Sequence, residues 1–165
     1  MLNNINRKGV FVLAKKTFRE KLMDSRDMPR VVELTDPKAI ARYSGTRMLI
    51  APPLAYDALM KMVPQGALTT SDALRAHLAK QHAADFTCPL TAGIFINIAA
   101  GAANESGGGT PYWRTLKKGG ELNEKYPGGI GAHAMLLEGE GHTIIKKGKR
   151  NFVADFEKNL FDFDS

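Results

Sequence analysis

One stretch of this 165-residue chain, LTAGIFINIAAGAA at residues 90–103, contains no charged side chain and is long enough for a helix of about four turns. Cys88-Pro89 precedes it and the glycine-rich ESGGG follows it, so both ends carry helix-boundary signals. A helix without charges must be covered by other elements on most of its sides. The rest of the fold therefore has to be built around residues 90–103.

Signals for three more helices flank this stretch. A helix over 54–63 begins after a Pro-Pro pair and ends at a Pro-Gln-Gly turn, and Thr70 or Ser71 caps the next helix. After ESGGG, a glycine-punctuated loop leads to a helix over 129–140. The order helix, turn, helix, turn, helix, glycine-rich wing and helix is typical of DNA-docking helix-turn-helix domains. The predicted class is α+β and mostly helical, with a winged helix-turn-helix-like domain.

The outer segments predict a helical N-terminal arm and a helical C-terminal tail. Residues 11–23 place apolar residues between Lys and Arg as in a basic amphipathic helix, and residues 152–163 alternate acids with Phe and Leu. Short strands are expected at 31–34 and 142–145. The predicted arm, winged-helix domain and tail cover residues 1–50, 51–150 and 151–165.

The net charge of +6 is distributed unevenly along the chain. Residues 1–50 carry eleven Lys and Arg against five acids, residues 111–150 carry eight against four, and the tail carries one Lys against four acids. Two interpretations stay open at this point. The basic segments form a face for a polyanion such as DNA, or they are ordinary solvated surface.

Composition argues against several other classes of protein. A single cysteine, Cys88, excludes an internal disulfide and a cysteine-cluster metal site, and the four histidines form no metal-binding motif, so neither metal nor cofactor is expected. No apolar run approaches the roughly 18 to 20 residues of a membrane span. The apolar piece at 10–14 is shorter than a secretory signal core of about 7–15 residues, so a cytoplasmic protein is expected.

Several motifs of residues 52–145 stand in a specific order. Pro111-Tyr112-Trp113-Arg114 follows the helices over 54–66, 71–79 and 90–100, and YPGG and LLEGEG come after it at 126–129 and 136–141. In this order and spacing the segment resembles the C-terminal domain of the methylated-DNA–protein cysteine methyltransferases and their alkyltransferase-like relatives. The resemblance implies a DNA-binding fold, with Pro-Tyr-Trp-Arg at the position of the family's Pro-Cys-His-Arg.

The departures from that family bear on mechanism. Tyr112 stands where the family has its nucleophilic Cys, and Trp113 stands where it has the activating His. A tyrosine with a pKa near 10 is a poor replacement for such a thiolate, so alkyl transfer is not expected. Ser71 stands at the base-rotating Tyr and Pro89 near the Arg finger, which weakens the case for base flipping. The alkyltransferase-like relatives usually have Trp in place of the Cys and keep the His, so the chain departs from them as well.

The predicted function is non-catalytic, alkyltransferase-like DNA binding, with the sensing of damaged or alkylated DNA as its expected role. The predicted pocket residues are Tyr112, Trp113, Arg114 and Glu140. The predicted DNA-binding residues are Thr70, Ser71, Arg114, Lys117, Lys118 and Lys125. The rings of Tyr112 and Trp113 either stack on a base, which is worth about 1–3 kcal/mol, or fill the space that the family leaves open.

Two other classes of function remain as alternatives. In the first, an enzyme or small-molecule binder reuses the remodelled pocket, with Tyr112, Cys88, His133 and Glu140 as the candidate groups. In the second, the Phe-rich segment 152–163 is a protein-interaction module that binds a partner or a second copy. The sequence does not specify the oligomeric state.

Overall fold

The computed structural model describes residues 3–5, 11–13 and 15–165, and within them it has six α-helices and nine short strands. The helices are α1 (Phe18–Met23), α2 (Pro37–Tyr43), α3 (Pro53–Met62), α4 (Ser71–Gln81), α5 (Pro89–Glu105) and α6 (Gly129–Gly139). The strands are β1 (Asn3–Ile5), β2 (Phe11–Leu13), β3 (Arg30–Glu33), β4 (Arg47–Ile50), β5 (Thr69–Thr70), β6 (Phe86–Thr87), β7 (Thr115–Leu116), β8 (Ile144–Lys147) and β9 (Arg150–Val153). The α+β, mostly helical class is confirmed.

The four central helices begin at the residues that signal their boundaries. Pro53 and Pro89 lie in the first turns of α3 and α5. The Thr70 hydroxyl accepts a hydrogen bond from the Ala73 N–H at 3.1 Å and caps α4. Gly128 precedes α6 with a φ of +79°, a conformation that favours glycine. The predicted helices at these four places are confirmed.

The uncharged helix α5 lies in the larger of two hydrophobic clusters, as its sequence requires. Its residues Ala92, Ile96 and Ala99 pack there with residues of α3, α4 and β4. The smaller cluster joins β9 and α6 to the segment around β7, and it contains Leu68, Leu116, Leu122, Leu137 and Val153. Trp113 packs against both clusters and so connects the two halves of the core.

Short sheets join segments that are distant in sequence. In the three-stranded sheet β3-β4-β6, β4 pairs antiparallel with β3 and parallel with β6, so residues 30–50 share a sheet with the segment after α4. β5 and β7 form a parallel pair, and β8 and β9 form an antiparallel hairpin. The domain boundaries after residues 50 and 150 stay predictions.

The predicted helix over 11–23 is wrong in its first half. β2 pairs antiparallel with β1, and α1 begins only at Phe18. The helix starts there because the Thr17 hydroxyl accepts a hydrogen bond from the Glu20 N–H at 3.1 Å. Residues 6–10 and 14 of the predicted basic arm lie outside the described residues.

The C-terminal segment forms a strand and one 3-10 turn in place of the helix predicted over 152–163. β9 pairs with β8, and the 3-10 helix Phe156–Asn159 follows it. Asp155 lies between β9 and the 3-10 helix and has a φ of +52°. This value lies outside the right-handed helical region, so no continuous helix runs through Asp155. Phe156 then packs over Gly120, where a Cβ atom would approach the Phe156 ring to 2.5 Å. Phe156 therefore packs against the segment after β7 and does not belong to the apolar face of a terminal helix.

α1 is held against the C-terminal half of α5 by contacts that span more than eighty residues of sequence. The Glu105 carboxylate accepts hydrogen bonds from the backbone N–H groups of Phe18 and Arg19, at 2.9 and 3.2 Å. The Phe18 ring lies over Gly101, where a Cβ atom would approach it to 2.5 Å. The missing side chain at Gly101 therefore lets α1 lie close to α5.

Gly101→Ala should lower the free energy of unfolding by about 1 kcal/mol, because the cost of overpacking exceeds the gain in helix propensity. Gly93→Ala is the matched control in the same helix, because an added Cβ at Gly93 meets nothing within 4 Å. This control should raise the free energy of unfolding by about 0.5–1 kcal/mol. Denaturant unfolding of both variants measures the contrast. Equal stabilisation by both substitutions would contradict the close packing of Phe18 on α5.

Candidate nucleic-acid interface

The aromatic pair Tyr112 and Trp113 lies on the 3-10 helix between α5 and β7. Tyr112 is 9% exposed. Its ring meets Trp113 and Tyr126 edge-on, with ring centroids 5.5 and 5.1 Å away. Burial raises the pKa of the Tyr112 hydroxyl, which therefore stays protonated at neutral pH. The two rings occupy the space between α5 and the segment after β7.

Arg114 and Glu140 form a largely buried ion pair next to this aromatic cluster. Arg114 Nη2 donates to Glu140 Oε1 at 2.6 Å, and Nη1 donates to the Val63 carbonyl at 2.8 Å. The side chains are 14% and 8% exposed. Burial is the largest single influence on Glu140 and would raise its pKa, but the hydrogen bonds that its carboxylate accepts, those from Arg114 foremost, together with the positive charge of Arg114 lower the pKa. The pair therefore connects the end of α3 to the end of α6.

His133 of α6 fixes the segment after β7 through both nitrogens of its ring. Nδ1 accepts a hydrogen bond from the Asn123 N–H at 3.1 Å, so the ring proton lies on Nε2 and is donated to the Trp113 carbonyl at 2.8 Å. The side chain is buried, with 1% exposure. Burial lowers the pKa of His133, and the ring is neutral at pH 7. His133 thus holds residues 115–126, which we call the wing, against the 3-10 helix.

A cavity of about 420 Å³, which we call the wing cavity, opens between α5 and residues 115–126. Leu90, Gly93 and Ile94 form part of its α5 wall. Leu90 is 72% exposed and Ile94 is 49% exposed, so both apolar side chains are accessible from the cavity. The side of α5 that faces the cavity is therefore apolar and accessible.

The three lysines predicted to contact DNA all line the wing cavity. Lys118 and Lys125 are exposed, while Lys117 is 40% exposed and pairs with Glu124 at 3.1 Å. Their wall faces the uncharged wall of α5. Glu124 lines the same wall, so the three lysines leave a net charge of +2 opposite the largely apolar surface of α5.

The remaining predicted DNA-binding residues occupy different environments. Ser71 lines the wing cavity at the start of α4. Thr70 is buried and caps α4, and the guanidinium of Arg114 is engaged by Glu140 and Val63. The structure thus brings Ser71 and the lysines together around one cavity, and it places Thr70 and Arg114 outside its lining.

The groups named for the enzyme alternative do not meet at one place. Tyr112, His133 and Glu140 belong to the packing around the 3-10 helix. Cys88 instead precedes α5 and lies near the buried Tyr56. This separation gives the proposed catalytic set no shared reaction centre.

The Phe-rich tail named for the interaction alternative packs on its own chain. The Phe161 N–H donates to the Leu68 carbonyl at 2.8 Å. The Phe163 ring lies 5.1 Å from the His77 ring of α4. The tail is therefore attached to the rest of the chain by the backbone of Phe161 and by the ring of Phe163.

Asn97, Asn123 and Tyr126 are among the lining residues that were not predicted from the sequence. Asn123 donates from its side-chain amide to Asn97 Oδ1 at 2.9 Å and so joins the wing to α5, and Tyr126 lies at the base of the wing cavity. Asn97 could have been identified from the sequence, because it is one of only two polar side chains in the uncharged stretch 90–103. Asn123 lies in a polar loop in which nothing distinguishes it from its neighbours, whereas Tyr126 begins the YPGG motif, to which no site role was assigned.

Within the described part of the chain, the His, Cys, Asp and Glu side chains form no group of three that could hold a metal ion. In the same residues, every helix is too short or too polar to cross a membrane.

Comparison with known proteins gives one structural similarity. No family model and no curated protein matches the chain. The crystal structure of S. pombe Atl1 in complex with damaged DNA containing O6-carboxymethylguanine is similar, with a TM-score of 0.46 and 17% sequence identity. The match covers 66% of this chain and 91% of that chain. The functional conclusion therefore rests on the residues of the site.

Proposed function

We propose that this protein binds DNA through the wing cavity, as a winged-helix protein without catalytic activity. The proposal rests on one observation, the wall of three lysines that faces the exposed, uncharged side of α5 across this cavity. Ammonium groups contact phosphates and supply most of the affinity for DNA. Small and apolar residues allow a helix to approach a DNA groove closely, and Leu90, Gly93 and Ile94 are of this kind.

The non-catalytic part of the proposal follows from the environment of Tyr112. Its hydroxyl is protonated, it is surrounded by aromatic rings, and Tyr126 rather than Tyr112 lines the wing cavity. A protonated phenol without a neighbouring base is a weak nucleophile. Binding is therefore the activity that these residues support.

The finer proposal is that the bound DNA carries an alkylated base. The wing cavity has the size of pockets that hold small organic ligands. Its apolar α5 wall suits an added alkyl group, and its lysines suit the phosphates next to the base. Sensing of the lesion would then consist of tighter binding without repair.

Lys118→Gln/Lys125→Gln should weaken binding to duplex DNA and reduce its dependence on salt. Each lost phosphate contact lowers the slope of log affinity against log salt by about 1, so the double variant should lose about 2. Fluorescence anisotropy over a salt series measures this slope. The duplexes are one pair of identical sequence, with and without an O6-alkylguanine.

Lys38→Gln/Arg42→Gln on α2 is the matched control, because both residues are exposed and neither lines the wing cavity. It should leave the slope within about 0.5 of the wild-type value. Weak binding of the wild-type protein to both duplexes without any salt dependence would contradict DNA binding. Equal affinity for the two duplexes would contradict only the proposal about alkylated bases.

A further inference from the structure

A second groove, the arm groove, lies next to the wing cavity and has a volume of about 530 Å³. The two share a single lining residue, Ile94 of α5. The floor of the arm groove is mostly apolar and comes from β4, α3 and α5, with Ile50, Pro53, Phe95 and Ile98. The rim comes from residues 16–30, a part of the chain outside the predicted winged-helix domain.

The rim carries more positive than negative charge. Four cations, Lys16, Lys21, Arg26 and Arg30, and two carboxylates, Asp24 and Asp27, line the arm groove. Asp24 accepts from Lys16 at 3.2 Å and from Arg26 at 3.3 Å. These cations remain accessible, since the Lys16 and Arg26 side chains are 50% and 73% exposed. Four cations against two carboxylates leave a net charge of +2 above the apolar floor.

The rim holds a defined position on α5. The contacts of Glu105 with the first turn of α1, and of Phe18 with Gly101, fix this helix. Leu22 on the same helix packs against the larger hydrophobic cluster. Arg30 begins β3, whose pairing with β4 places it opposite Ile50 of the floor. The cations and the floor are thus held together by the fold.

We propose that the arm groove binds unpaired nucleotides of the DNA strand that the wing cavity holds. A cationic rim above an apolar floor fits an anion with a flat, apolar body, and an unpaired nucleotide has this composition. Its base would lie on the floor beside Phe95, and its phosphates would contact Lys21 and Arg26 on the rim. The shared residue Ile94 makes the two sites neighbours on α5. This inference rests on the proposed binding of DNA.

An acidic amphipathic peptide has a similar combination of apolar surface and negative charge. The position of the arm groove next to the lysine-lined wing cavity favours a nucleic-acid strand, since one strand is long enough to contact both sites.

The experiment compares two fluorescein-labelled DNA probes, a blunt duplex and the same duplex with a short oligo-thymidine overhang. The wild-type protein should bind the overhang probe about tenfold more tightly, since stacking adds affinity for an unpaired base. Lys21→Gln/Arg26→Gln removes two rim cations, and Thr91→Glu places a carboxylate in the arm groove alone. Both variants should lose the preference for the overhang and keep their affinity for the blunt duplex.

Lys38→Gln/Arg42→Gln again serves as the matched control, because neither residue lines the arm groove. It should retain the preference, and circular dichroism should confirm that every variant is folded. A wild-type protein that binds both probes equally, or rim variants that keep the preference, would overturn the inference while leaving DNA binding intact. Binding to neither probe would instead contradict the proposed function.

A competition experiment separates the nucleotide from the peptide. Excess unlabelled oligo-thymidine should displace the overhang probe, and a synthetic peptide with the acidic, Phe-rich sequence of residues 151–165 should not. Displacement by the peptide alone, lost in Thr91→Glu, would assign the arm groove to an acidic protein partner and overturn the proposal.

Discussion

Glu140→Ala should lower the free energy of unfolding by about 3 kcal/mol, because it leaves the guanidinium of Arg114 in a largely buried place without its carboxylate. Four hydrogen bonds to the Glu140 carboxylate are lost, three from Arg114 and one from the Gly66 N–H. The end of α3 and the end of α6 would then lose their common attachment. Urea unfolding at pH 7 measures the change.

Glu33→Ala is the control, since Glu33 pairs with Arg47 at 3.0 Å on the surface, where the side chains are 60% and 46% exposed. Its loss should cost less than about 1 kcal/mol. A double variant, Arg114→Met/Glu140→Leu, should recover part of the stability because no unpaired charge remains. Equal effects of Glu140→Ala and Glu33→Ala would contradict a stabilising role for the buried pair.

The role of this ion pair affects how Arg114 can be tested as a DNA contact. Arg114→Ala removes the partner of a buried carboxylate, so a loss of DNA binding in this variant would mix unfolding with a lost contact. Lys118 and Lys125 avoid this problem because both are exposed. They give the cleaner test of the interface.

Local signals were sufficient to predict the central helices. Proline in a first turn, a threonine cap and a glycine with positive φ each act within one helical turn. The first residues of α3, α4, α5 and α6 can therefore be predicted from neighbouring residues. The grouping of Lys117, Lys118 and Lys125 on one surface could also be predicted, because the three lie within nine residues of a basic segment. Their contact with DNA stays a prediction.

The features that could not be predicted from the sequence, the arm groove and strand β9, depend on contacts between distant residues. The arm groove depends on Glu105 and Gly101, which meet Phe18 more than eighty residues away in sequence. The tail forms β9 because its partner strand β8 is available, and periodicity alone does not distinguish that outcome from a helix. Pairings of this kind are properties of the tertiary fold.

His133→Leu should lower the free energy of unfolding by about 3 kcal/mol at pH 7.5. The substitution leaves the Asn123 N–H and the Trp113 carbonyl without their buried partner, and each unsatisfied group costs about 1–3 kcal/mol. It should also weaken DNA binding, because Asn123 lines the wing cavity and the wing would lose its attachment to α6. Chemical unfolding and anisotropy with duplex DNA measure the two effects. His82→Leu, at the end of α4, is the control and should leave DNA affinity unchanged.

The same histidine should make the stability of the wild-type protein depend on pH. Burial lowers the pKa of His133 in the folded state, so below pH about 6.5 the unfolded chain takes up a proton that the folded protein does not. Stability is therefore fully present well above this pH and is lost as the pH is lowered from about 7 to 5.5. His142, whose pKa burial also lowers, contributes in the same direction. His133→Leu should show a smaller fall than the wild type, and an unchanged fall would mean that His133 is protonated in the folded protein.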